Sequence, residues 1–253
     1  AKDISGELLD TFGTLDSINA KNIADIGRLS AGFGVATKDV IGLQKALTDT
    51  LGVSVNQSEA IIDNIGQLAK QEGVAAGKVI EDIAANTEKF AAFAKGGADG
   101  FAQAAIEAAK IGTNLSTILT AADSLLDFES SLTNEFEAQV LTGKNLNLEK
   151  ARQLALDGDI AGLTQEIQQQ VGSMGDLQAM NVVQRKSLAD SIGITVDQLT
   201  KISRGEAVAA EETVQDLQKK TNEILKAGFS EDKEKMDELI STTAANSQTT
   251  IYE

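Results

Sequence analysis

The sequence predicts an all-α protein, built as an elongated array of short helices and helical hairpins. The first sign is an absence. The 253 residues contain no proline, where ordinary usage would supply roughly a dozen. Proline breaks helix interiors yet suits loops and first helical turns, so its loss points to helix over most of the length. The second sign is the abundance of alanine, leucine, glutamate, glutamine and lysine, all good helix formers. The third is punctuation: glycines and side-chain caps separate stretches whose apolar residues recur at steps of three and four.

The clearest junctions are Leu51 to Gln57 (LGVSVNQ) and Ile192 to Gln198 (IGITVDQ). Each has a glycine suited to the left-handed position after a helix, Gly52 or Gly193, then an apolar residue, Val53 or Ile194. A hydroxyl N-cap follows, Ser54 or Thr195, with a glutamine three residues later, Gln57 or Gln198. That is a helix stop followed at once by a capping box. Looser junctions fall at Gly73-Val74, Gly112 to Asn114, Gly143 to Asn147 and Gly158-Asp159.

Between these junctions, one long helix is expected over residues 116–141. Ile118, Ala121, Leu125, Phe128, Leu132, Phe136 and Val140 form a continuous stripe along it. Its length would be roughly 40 Å. Asp123, Asp127 and Glu137 should meet solvent on the opposite face, while Glu129 and Glu135 border the stripe. From Glu206 to Gly228, Ala207, Ala210, Val214, Leu217, Thr221 and Ile224 follow a 3,4 pattern resembling a coiled-coil seam. A further capped helix is expected after Ser230, and STTAANSQTTIYE ends the chain in small polar residues. These readings divide the chain into segments 1–113, 114–205 and 206–253.

Composition narrows the function. Without histidine the commonest general base and metal ligand is missing, and without cysteine there is no disulfide or thiolate site. A net charge of −16 opposes tight binding to nucleic acid, which needs a basic surface. The most apolar stretch, Phe90 to Gly112, is interrupted by Lys95, Asp99, Gln103, Glu107 and Lys110, so no stable membrane span is expected. The acidic opening AKDISGELLD lacks signal-peptide character. A start at Ala1 without methionine points to a processed product or one piece of a longer polypeptide.

Three constellations have bland readings that suffice. The many carboxylates fit solvated helix faces better than an acid–base pair, which needs one group with a raised pKa in a pocket. Asp157 and Asp159 resemble the start of a calcium loop, yet Gln168 stands at its twelfth position where glutamate is required. A helix ending at Gly158 with Asp159 capping the next accounts for both acids. Gly96, Gly97 and Gly100 lack the strand and the GK[ST] ending of a phosphate cradle. They read as a helix break, with Asp99 capping the next segment and Phe90, Phe93 and Phe101 stapling its two sides. No catalytic residue, cofactor or metal is expected.

The segments 72–118, 125–172 and 181–202, and above all DFESS…NLNLEKARQLALDGD, resemble part of the tail tape measure proteins of tailed bacteriophages. The resemblance covers about half of the chain. It implies a virion protein, assembled in the host cytoplasm, that occupies the tail-tube lumen and sets tail length. Such a protein is held at one end by baseplate or tail-tip proteins and leaves when DNA is ejected. Family members are much longer, so the resemblance points to a segment near the baseplate. Three copies are expected to associate through Ile118, Leu125, Leu132, Phe136 and Val140, and through Val214, Leu217 and Ile224. A soluble α-helical scaffold or adaptor, self-associating through a coiled coil, is the alternative that shares the composition.

Overall fold

The computed structural model describes residues 4–13, 19–93, 96–173 and 177–205. The seam positions Val214, Leu217 and Ile224, and everything expected after residue 205, lie outside them. The described residues are all-α, with thirteen α-helices, two short 3-10 turns and no strand among them. The N-terminal helices are α1 (Ile4–Phe12), α2 (Ala20–Phe33), α3 (Thr37–Leu51), α4 (Val55–Gln71) and α5 (Ala76–Ala85). The short α6 (Phe90–Phe93) leads to α7 (Gly97–Lys110), α8 (Leu115–Leu126) and α9 (Phe128–Thr142). Then come α10 (Glu149–Leu156), α11 (Ile160–Ser173), α12 (Val182–Ile192) and α13 (Val196–Arg204).

Helix ends form where local chemistry dictates. Ser54 accepts from the Gln57 amide at 3.3 Å while the Gln57 side chain accepts from the Ser54 amide at 2.8 Å. Thr195 and Gln198 make the same reciprocal pair, and so do Asn181 and Gln184. Each box satisfies two donors that a helix start would otherwise leave open. At Gly193 the backbone takes φ +81°, and an added Cβ would stand 2.2 Å from that of Ser124. Glycine is therefore required there twice over, by conformation and by space. Asp159 accepts from the Gly162 amide at 2.9 Å, the capping role expected of it. Asp99, by contrast, sits inside the first turn of α7, and the cap position belongs to Gly96.

Packing begins with α1 to α5, which contact one another repeatedly. Phe33 of α2 lies against Gly66 of α4, where a Cβ would come within 2.4 Å of its ring. Helix α7 carries the core onward, touching α4 and α5 on one side and α8 and α11 on the other. Its buried residues are mostly alanines, which let neighbouring helices approach closely, with Phe101 and Ile106 between them. The rings of Phe90 and Phe101 meet edge-on at 5.0 Å, and Phe93 is buried beside them, so the aromatic staple is present. A single hydrophobic cluster runs from Leu8 to Ile202 and is continuous across residues 113–114.

The expected long helix over 116–141 is two helices. Asp127 leaves the helical region, with φ −78° and ψ 81°. Its carboxylate accepts from the Ser130 amide at 3.4 Å and from the Ser130 hydroxyl at 2.7 Å, so it starts a new helix. The break changes which way the stripe faces. Ile118, Ala121 and Leu125 are fully buried in the core, whereas Phe128, Leu132, Phe136 and Val140 are exposed.

Candidate functional site

Helix α9 is held to the body by its polar side. Ser131, Glu135 and Ala138 face inward. Arg152 of α10 donates to Glu135 at 2.6 Å and to Ser131 at 3.2 Å, and the Leu148 amide donates to the other Glu135 oxygen at 3.1 Å. Both charged side chains are buried. A buried pair of this kind is costly to desolvate but far costlier to leave half-made, so it fixes the rotation of α9 about its axis. On the other flank, Gln184 of α12 donates to the Leu141 carbonyl at 2.9 Å, and Asn134 donates to that of Asp190 at 3.4 Å. Helices α9 and α12 therefore run antiparallel.

With its polar side turned inward, α9 presents its large apolar residues to water. Leu132 is 54% exposed, Phe136 68% and Val140 64%. Phe128, four residues before Leu132, is exposed in line with them, and Val182 and Val183 at the start of α12 are exposed as well. Apolar side chains scattered singly are ordinary, but a contiguous row marks an interaction surface. Leu132 and Phe136 form one wall of a groove of about 480 Å³, whose other lining includes Glu135, Gln139, Asn147 and Arg152.

Of the eight residues expected to mediate association, the structure brings Leu132, Phe136 and Val140 together on a free face. Ile118 and Leu125 are corrected: both are fully buried and cannot meet a partner. Sequence reading passed over Val182 and Val183, which follow the Asn181 cap, because they carry no helical period of their own. It also left the Glu135–Arg152 pair unfound, since nothing local links residues 17 apart.

A second cavity, of about 570 Å³, lies between α5, α7, α8 and α13. Asp82 is at its edge and accepts from the Leu115 amide at 2.5 Å. Burial pushes its carboxyl up to about 6, although the amides of Leu115 and Ser116 pull the other way. Asn86 donates to its other oxygen at 3.2 Å. Across the cavity, Gln198 donates to Thr117 at 2.8 Å, and Thr117 donates to Asn114 at 2.7 Å. These polar groups bond to one another and to the backbone and cap α8 and α13.

Among the described residues no three acidic side chains cluster to hold a metal ion, and no helix is long and apolar enough to cross a membrane. The face of α9 is thus the feature with most to offer a partner. Comparison with protein-family models, with curated proteins and with solved structures finds no match to this chain.

Proposed function

We propose that this chain is a structural, non-enzymatic protein that works by helix-to-helix assembly, and that it is a segment of a bacteriophage tail tape measure protein. The assembly role is carried by one observation: the apolar row Leu132, Phe136 and Val140 faces solvent while the same helix buries an ion pair. A helix oriented this way needs a partner to cover it. The tail assignment is carried by the resemblance of residues 72–202, and by composition suited to the role. An acidic, aromatic-poor chain can occupy a tube lumen and leave it without gripping DNA. Its contacts in that setting are further copies, the tube wall and baseplate or tail-tip proteins.

The test is location and consequence. Mass spectrometry of purified virions should detect this segment, and labelled particles should place it inside the tail or at its baseplate end. In-frame shortening of the helical segment should shorten the tail in proportion. Absence from virions leaves the soluble helical scaffold as the reading, with the same α9 face as its working surface.

A further inference from the structure

We infer that the outer face of α9 is a two-fold interface, covered by α9 of a second copy running antiparallel. The inference rests on reading α9 as an assembly surface and not on the identity of the particle. Three observations support it. The first is shape. Phe128, Leu132, Phe136 and Val140 stand four residues apart, so the row is about 18 Å long at 1.5 Å per residue. A two-fold axis near Asn134 sets Phe128 against Val140 of the second copy and Leu132 against Phe136 of the second copy. Each aromatic ring then meets a smaller aliphatic side chain, and the same patch serves both copies. A parallel pairing would set Phe136 against Phe136 and leave a gap between the two Val140 side chains.

The second is charge. The N-terminal end of α9 carries Asp127 and Glu129. The other end is followed directly by Lys144, which is exposed. Lys144 makes no ion pair among the described residues. Antiparallel packing lays the acidic end of one copy beside the basic end of the other, whereas parallel packing brings like ends together. The net charge of −16 opposes association over long distances. That repulsion is screened beyond about 8 Å at physiological salt, while close pairs persist.

The third is area. The row leaves on the order of 400 Å² of apolar surface in water, given roughly 150–250 Å² for each aromatic ring and the exposure of Phe128, Leu132, Phe136 and Val140. Each partner in a standard stable interface contributes about 800 Å². The row therefore supplies about half of that share, the apolar centre of an interface whose rim is polar.

The experiment is sedimentation equilibrium of the full chain at physiological salt over a wide concentration range. A monomer–dimer equilibrium is expected. Phe136→Asp should weaken it at least tenfold with the circular-dichroism spectrum unchanged, since Phe136 packs on nothing in the core. Lys144→Glu should weaken it several-fold, and adding Glu129→Lys should restore it. Leu217→Asp should leave it unaltered. A monomer at every concentration, a trimer, a dimer indifferent to Phe136→Asp or dependent on Leu217, or no rescue by the charge swap would each overturn the inference. None of these results bears on whether the chain is found in virions, so the two readings fail separately.

Discussion

Helices α7 and α9 are of nearly equal length, 14 and 15 residues, and their relation to solvent is reversed. Helix α7 buries eight residues, six of them alanines, and is enclosed by α4, α5, α8 and α11. Helix α9 buries only Ser131, Glu135 and Ala138 and turns its bulk outward. A count of large apolar side chains alone would have placed them the other way round, since α9 carries Phe128, Leu132, Phe136, Val140 and Leu141 against only Phe101 and Ile106 in α7. Burial here follows close approach and charge pairing: alanine lets helices draw near, and Arg152 holds Glu135 beneath α9. The surplus apolar surface of α9 is available for assembly because folding does not consume it.

The contrast is most easily broken through the core. Phe101→Ala in α7 should cost about 3–5 kcal/mol in urea unfolding, because a fully buried ring leaves a cavity. A cost below about 1 kcal/mol would mean that α7 is not enclosed. Arg152→Met should cost a comparable amount, about 3–5 kcal/mol, by stranding the Glu135 carboxylate. Adding Glu135→Gln should recover much of it while keeping an acceptor for the Leu148 amide. Additive losses would show that the pair does not hold α9 down.

The third prediction concerns pH and the cavity beside α7. The carboxyl of Asp82 lies at about 6 in the folded chain, against 3.8 ordinarily. Its contribution is therefore fully present below about 3.8 and is lost as pH rises through about 6, a loss of up to about 3 kcal/mol. Burial also raises Glu59, which acts in the same direction. With no histidine in the chain, little else titrates in this window. Stability to urea should increase on going from pH 7 to pH 5, and Asp82→Asn should flatten most of that slope. The smallest effect belongs to the outer face: Phe136→Ala should change stability of the dilute monomer by no more than about 0.5 kcal/mol. A large loss would show that the ring is buried within its own chain.

Much of this fold was legible because its helix ends are local devices. Ser54 with Gln57 and Thr195 with Gln198 are read from four consecutive residues, and the all-α class follows from proline's absence. The break at Asp127 was not legible in the same way. The apolar period runs through it without interruption, and Asp127 with Ser130 resembles any exposed pair on a continuing helix. Which side of α9 faces inward depends on Arg152, a partner in another helix. Ile118 and Leu125 were therefore grouped with Leu132 and Phe136 on one stripe, although the bend sends the first two into the core and the others outward. The seam at Val214, Leu217 and Ile224 remains an expectation of the sequence.

The inside-out orientation of α9 can be read directly from chemistry, since the chain has no cysteine of its own. Single substitutions Phe136→Cys and Ala138→Cys place one thiol on the outer face and one on the inner. In dilute native protein, a maleimide reagent should modify the cysteine at 136 within the time of a free thiol and leave that at 138 largely unmodified. Equal rates at the two positions, or faster reaction at 138, would contradict the account.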